Sequence, residues 1–399
     1  MSILPVNGIR IGSTAAGIRY QGRDDIVVID CQSGTNCAAV FTCNRFSAAP
    51  VQIAKQHLSQ TSPRALLINS GNANAGTGEQ GILNAIECCR MLADDLGCDV
   101  SEVLPFSTGV IGEQLPVQAF RHALPNCLKN LSADADAWVR ASKTIMTTDT
   151  VAKLFSRKAD IGGTEVTVTG MSKGAGMIRP DMATMLAYIA TDAVIEKTVL
   201  QRLLNEATRV SFNRITVDGD TSTNDACTLL ATGTAKMAAI SEDSKEYDQF
   251  STVLTALMKD LAQAIIRDAE GASKFITINI SGGESEDDCL AVGYTVAESP
   301  LVKTALFASD PNWGRILAAV GRAPINKLDI SQVNIRLNAL PVVTAGEPDS
   351  AYTEEAGQKA VASSDITIDI ELGDSDQEIT IWTSDLSHEY VRIKAEYRT

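Results

Sequence analysis

The chain has 399 residues, 45% of them apolar, and a formal net charge of −15. That length and composition support a large buried core in two or three lobes, while the negative charge opposes nucleic acid and anionic lipid by plain repulsion. No apolar run reaches the roughly 18 to 20 residues of a membrane span, and the start Met1-Ser-Ile-Leu-Pro-Val-Asn-Gly lacks the basic and apolar segments of a secretory signal.

In chain order, Asp25-Ile-Val-Val-Ile-Asp30, Ala39-Val-Phe-Thr-Cys43 and Arg64-Ala-Leu-Leu-Ile-Asn69 predict strands, each bounded by turn residues. Helical spacing through Ile82, Leu83, Ile86, Cys89 and Leu92 predicts a helix over 79–96, closed by Gly97. Two more helical stretches, 117–131 and 133–146, precede strands at 151–157 and 165–169. After Thr184 come a strand to Ala190, a helix over 196–210, a long helix over 246–269 and the strand Lys274-Phe-Ile-Thr-Ile-Asn-Ile280. Near the end, Asp365-Ile-Thr-Ile-Asp-Ile-Glu-Leu and Glu378-Ile-Thr-Ile-Trp-Thr alternate with period two around Gly373-Asp-Ser-Asp-Gln, which predicts a hairpin. Polar breaks at 241–247 and 345–364 are expected to be loops, and the whole reads as mixed α/β.

The chemistry-bearing residues narrow the function. Nine cysteines, an odd number at irregular spacing, suit reduced thiols in a cytoplasm. His57, His122 and His388 are the only histidines; none accompanies a Gly-x-Ser-x-Gly elbow or a zinc motif, so serine-triad and zinc chemistry lack support and all three are expected to be structural or solvent-facing. Asn69-Ser-Gly-Asn-Ala-Asn-Ala-Gly-Thr-Gly78 runs from strand to helix without the ending of a nucleotide loop, and an ordinary turn is the better reading. In Ser107-Thr-Gly-Val-Ile-Gly112, Thr108 and Gly109 form a candidate oxyanion hole if a nucleophile lies near. Met146-Thr-Thr-Asp-Thr150 can cap a helix or bind polar substrate groups, with capping the better reading, and Glu270 is expected to be solvated unless a cation meets it.

The most informative run is Met171-Ser-Lys-Gly-Ala-Gly-Met-Ile-Arg-Pro-Asp-Met-Ala-Thr-Met-Leu, in which Lys173, two glycines and Pro180 precede Thr184. A hydroxyl is a poor nucleophile without a base. Cleavage between Ala183 and Thr184 would supply one, because the freed α-amino group has a reference pKa of about 7.7 to 8. The glycines would allow the tight geometry that such a backbone attack needs.

These segments, with Asn213-Arg-Ile-Thr-Val-Asp-Gly-Asp-Thr-Ser-Thr-Asn-Asp225, Asp268-Ala-Glu-Gly271 and Asp310-Pro-Asn-Trp-Gly-Arg-Ile316, closely resemble the glutamate N-acetyltransferase/ornithine acetyltransferase family of arginine biosynthesis, over essentially the whole chain. The resemblance implies an α/β fold of stacked β-sheets flanked by helices, similar to but distinct from the N-terminal nucleophile hydrolases. It implies self-cleavage into an α chain, 1–183, and a β chain, 184–399, assembled as an α2β2 heterotetramer. Thr184 would carry the acetyl group from N2-acetylornithine to glutamate as an ester, with Thr108 and Gly109 as the oxyanion hole. Thr147, Lys173, Thr184, Glu270, Lys394 and Thr399 match the family's substrate-binding positions. No bound cofactor or metal is implied, and acetyl-CoA enters as a co-substrate of many members. No nucleic acid or membrane partner is implied, and the expected location is cytoplasmic.

Rival readings are a related self-processing amidase or aminopeptidase and an inactive binding protein. One departure stands out: Lys394 occupies a position where the family usually has Asn. An ammonium only donates and adds charge, and its flexible stem is expected to carry it into solvent, away from the site.

Overall fold

The computed structural model describes residues 2–179 and 185–396. Ala183, Thr184 and Thr399 lie outside the described residues, so the predicted cleavage position has no structural account here. In chain order the strands are β1 Ile9–Thr14, β2 Ile26–Cys31, β3 Asn36–Phe41, β4 Ala65–Asn72, β5 Val103–Val110, β6 Lys153–Ile161, β7 Thr164–Lys173 and β8 Leu186–Thr191. They continue as β9 Ile215–Thr216, β10 Ala226–Ala231, β11 Phe275–Gly282, β12 Asn334–Leu337, β13 Leu340–Thr344, β14 Glu347–Pro348, β15 Asp365–Glu371 and β16 Ser375–Ser384. The helices are α1 Ala49–Gln60, α2 Gly78–Leu96, α3 Val117–Lys129, α4 Ala135–Thr144, α5 Lys197–Arg209, α6 Lys245–Arg267, α7 Glu286–Ala297, α8 Pro300–Phe307, α9 Trp313–Gly321, α10 Glu354–Val361 and α11 His388–Glu396.

The described residues divide into two compact units, one within 1–213 and 221–265, the other within 214–220 and 266–398. The first unit holds two sheets, ordered β1-β2-β4-β5 and β3-β10-β8-β7-β6. The inner strands β2, β4, β8 and β10 are buried throughout, which is why their cores read as continuous apolar runs rather than as alternation. The sheets are stacked. Ile29, Leu66, Ile68 and Phe106 of one share a core with Met171, Leu186, Tyr188 and Leu230 of the other. The rings of Phe106 and Tyr188 meet edge to face, 5.3 Å between centroids. The outer face of the first sheet packs on α2 and α3 through Cys88, Cys89, Leu92, Phe120 and Leu124. On the other sheet, Gly170 leaves room for Leu257 and Leu261 of α6.

The second unit carries one sheet, ordered β14-β13-β12-β15-β11-β16-β9. Ile276, Ile278 and Ile280, Ile366, Ile368 and Ile370, and Ile379 and Ile381 form one apolar face against Val292 and Val296 of α7 and Ile316, Ala319 and Val320 of α9. Here the period-two pattern is clean because one face is covered more than the other.

The predicted terminal hairpin is not formed. β11 lies between the two strands, parallel to β15 and antiparallel to β16. All three share the same isoleucine alternation, so pattern alone cannot choose their order. The connection crosses the end of β11, where the Leu372 amide donates to Ser281 O at 2.8 Å. A Cβ on Gly282, at φ +77°, would lie 2.0 Å from Gly373 O, so this crossing requires glycine. Other boundaries move. Predicted strands at 151–157 and 165–169 are a longer hairpin, β6 and β7, paired from Lys153 to Ser172. The expected loop at 345–364 contains α10, whose start is capped by the Thr353 hydroxyl.

Candidate functional site

β4 and β5 run parallel, and their register breaks at Gly71 and Asn72, opposite Thr108 and Gly109. Gly109 has φ +136°, and a Cβ there would stand 2.2 Å from Gly71 C and 2.5 Å from Asn72 N. Neither the backbone angle nor the space admits a side chain. A chain of amides braces this bulge. Ser107 Oγ donates to Asn69 Oδ1 at 2.6 Å, Asn69 Nδ2 to Asn72 O at 2.8 Å, and the Asn74 amide to Asn72 Oδ1 at 2.8 Å. Residues 69–75 of the asparagine run are therefore a buried scaffold beside Thr108, more than the ordinary turn the sequence suggests. Thr108 is itself buried, and among the described residues no hydrogen bond engages its hydroxyl.

The start of β8, two residues after Thr184 in the chain, lies between two flanking strands. On one side the end of β7 pairs Lys173 with Leu186, antiparallel. On the other, β10 runs parallel and pairs Ala226 with Leu186, the Ala226 amide donating to Met185 O at 2.9 Å. Asp225 precedes that pair, and Asn224 before it donates to Ser107 O at 2.9 Å and Ala73 O at 2.6 Å. Asn224 thus ties the β8–β10 edge to the Thr108 loop in the other sheet.

Asp149 anchors the Lys173 side. Its carboxylate accepts from Lys153 Nζ at 2.7 Å, from the Gly174 amide at 2.7 Å and from the Thr147 amide at 3.1 Å. Burial is the largest influence on this carboxyl and pushes it up, but Lys153, Lys173 and the hydrogen bonds together hold it below its usual value. The expected helix cap at 146–150 is not what forms. α4 ends at Thr144, and Asp149 binds strand and loop instead. Lys173 Nζ stands 3.5 Å from Thr147 Oγ1, a long contact that brings two of the predicted substrate-binding residues together. Asp225 behaves oppositely to Asp149. Burial drives its carboxyl well above the usual range, against hydrogen bonding from Ser222 and the Lys173 charge, and among the described residues its Oδ2 has no hydrogen-bond partner.

In the second unit, Glu270 follows α6 and is not solvated as its sequence context suggests: its side chain is 2% exposed. Lys394 Nζ of α11 meets Glu270 Oε2 at 2.7 Å, at an angle too oblique for a good hydrogen bond but close enough for a strong ion contact. The expectation that Lys394 points into solvent is overturned. The stem folds back because a buried carboxylate needs a counter-charge more than an ammonium needs water.

A family model, the ArgJ family, matches residues 10–399. The arginine biosynthesis bifunctional protein ArgJ of Pseudomonas syringae pv. tomato is 53% identical over 396 residues, covering 99% of this chain and 97% of the relative. The chain belongs to the ArgJ family. Its relative of the same description in Methylococcus capsulatus is 51% identical over 397 residues, covering 100% of this chain and 97% of that one. The crystal structure of the ArgJ protein of Bacillus halodurans superposes with a TM-score of 0.50 at 33% identity, covering 52% of this chain and 96% of that one.

Within this ArgJ chain, sequence reasoning placed Asp149 only within the expected helix cap at 146–150 and assigned no role of their own to Asn224 or Asp225, which close a polar run before an apolar strand. The three histidines are structural or solvent-facing, as expected: His57 is buried with Nδ1 2.8 Å from Val103 O, His388 stacks edge to face on Phe307, and His122 is exposed. All nine cysteines are free thiols. Burial pushes Cys37 and Cys88 up to about 12, which leaves them unreactive at neutral pH. Among the described residues no helix is long and apolar enough to cross a membrane, and no cluster of His, Cys, Asp or Glu could hold a metal ion.

Proposed function

We propose that this protein is a self-cleaving acetyltransferase that moves an acetyl group from N2-acetylornithine to glutamate through an ester on Thr184. Membership of the ArgJ family, whose relatives are described as bifunctional proteins of arginine biosynthesis, supports the reaction class. The observation that carries the reading is the placement of Lys173, Asp225 and, through Asn224, the Thr108–Gly109 bulge around the strand that follows Thr184.

The peptide bond between Ala183 and Thr184 breaks first, when the Thr184 hydroxyl attacks the Ala183 carbonyl and the resulting ester is hydrolysed. The free α-amine then takes the hydroxyl proton as Thr184 Oγ attacks the acetyl carbonyl of the donor. Thr108 Oγ1 and the Gly109 amide receive the negative charge on the carbonyl oxygen; one such donor is typically worth about 2.7 to 4 kcal/mol. Collapse passes the proton to the leaving amine, releases ornithine and leaves acetyl-Thr184. The glutamate amine attacks that ester, and the reverse proton path restores the enzyme. Lys173, beside Thr147, pairs with the α-carboxylate common to both substrates, and Glu270 with the donor's side-chain ammonium; Thr399 completes the set by family position. Acetyl-CoA is proposed as a second acetyl donor, an α2β2 heterotetramer as the assembly and the cytoplasm as the location.

The test is acetyl transfer itself. Acetylornithine alone should add one acetyl group to the fragment beginning at Thr184, and glutamate should remove it. Double-reciprocal plots should then give parallel lines. Intersecting lines with no acetylated fragment would contradict an ester intermediate.

A further inference from the structure

We propose that Lys394 sets which side-chain charge the Glu270 site accepts, acting as a resident counter-ion that disfavours a cationic donor and favours an anionic acceptor. This rests on the assignment of Glu270 to the donor's side chain made above. Glu270 is nearly closed off, with 2% of its side chain exposed, whereas Lys394 keeps 26%, so the lysine is the member of the pair that faces outward. Among the described residues no other ion pair reaches Glu270. A substrate ammonium must compete with the lysine for the Glu270 carboxylate, whose Oε2 the lysine already holds, while a substrate carboxylate meets a cation already in place.

The lysine is held over Glu270 by its helix. Ser387 Oγ, just before α11, donates to Gly271 O at 2.6 Å and accepts from the Tyr390 amide at 3.2 Å, which fixes the start of the helix to the residue after Glu270. The Tyr390 hydroxyl donates to Asp218 Oδ2 at 3.0 Å, and the Lys394 ammonium lies 5.8 Å from the Tyr390 ring. Arg392, two residues before Lys394 on the same helix, is committed to Glu389 and Glu396 and so does not compete for Glu270. The backbone is therefore anchored while the lysine stem remains free to swing. One site can take an ammonium with the lysine out and a carboxylate with the lysine in, the two side-chain charges that a donor and an acceptor sharing one nucleophile present in turn.

The experiment compares steady-state kinetics of the mature wild type with Lys394→Asn, Lys394→Gln and Lys394→Arg, each checked by thermal melting. Loss of the cation should lower KM for acetylornithine and raise KM for glutamate, each by roughly five- to tenfold. Lys394→Arg should keep the wild-type ratio, and a donor with an uncharged side chain, N-acetylnorvaline, should be taken equally by all four proteins. Unmoved KM values, or both moving in the same direction, would overturn the assignment. Absence of any acetyl transfer by the wild type would overturn the acetyltransferase reading and this one with it, whereas normal transfer with an unmoved KM ratio would overturn this one alone.

Discussion

Each unit buries a carboxylate against a lysine, and the two pairs are built differently. Asp149 and Lys153 are both sealed, with side chains 0% and 1% exposed, and Asp149 also holds the amides of Thr147 and Gly174. Glu270 and Lys394 have one sealed member and one on a helix surface. A buried pair with every oxygen engaged fixes geometry and cannot be exchanged without breaking the fold. A pair with one exposed, flexible member can be opened by a competing ion. The first positions the end of β7 that carries Lys173; the second is suited to exchange.

Breaking the sealed pair should have the largest effect. Asp149→Ala leaves Lys153 buried without its counter-charge and frees two amides, and should cost about 3 to 5 kcal/mol in denaturant unfolding. Its acid response sharpens the contrast. Because the folded value of Asp149 is lowered, its stabilisation is complete above the unfolded carboxyl value near 3.8 and is lost only as pH falls through the lower folded value. The wild type should therefore lose this contribution only in strong acid, and Asp149→Asn should flatten that part of the curve.

Next comes the Thr108 loop. Gly109→Ala must either shift β4 or abandon φ +136°, and should cost about 2 to 4 kcal/mol in the same assay together with acetyl transfer. A stable, fully active Gly109→Ala protein would remove the bulge from the account.

A third lysine extends the comparison. Lys303 is buried like Lys153 but is held by neutral oxygens, Thr383 Oγ1 at 2.9 Å and Ser384 O. Burial lowers it to about 8 from 10.5, although Asp385, Asp218 and Glu298 pull the other way. Between those values the unfolded chain binds a proton that the folded chain does not, so stability should rise with pH there, by at most about 1.4 kcal/mol per unit. Lys303→Met should abolish the rise. The smallest effect belongs to the exposed Arg392, whose replacement by alanine should leave the melting temperature unchanged, since its ion pairs with Glu389 and Glu396 are open to solvent.

The strands of the stacked core were legible because runs such as Ile26–Cys31 and Leu186–Thr191 are mostly apolar and wholly buried, and α2 because its apolar stripe and Gly97 agree. The order of the second sheet was not, since β11, β15 and β16 carry interchangeable patterns and only a crossing at Gly282 and Gly373 distinguishes them. Thr108, Gly109, Thr147 and Lys173 were singled out through motif resemblance, and Thr147 and Lys173 lie side by side. The role of Asn224 was not legible because its partners, Ser107 and Ala73, lie far along the chain, and that of Asp149 was not because only its burial turns the nearby Lys153 and Thr147 into a sealed pair. Lys394 was visible as a departure, but its direction was set by Glu270, 124 residues earlier in a turn the sequence left solvated.

The central claim is that Thr184 becomes a chain terminus and then carries the acetyl group. Intact mass under denaturing conditions tests it most directly, read before and after acetylornithine is added. Two fragments, the second beginning at Thr184 and gaining one acetyl group, are expected, with Thr184→Ala remaining a single unmodified chain. An active wild-type protein that stays one uncut polypeptide would contradict the account.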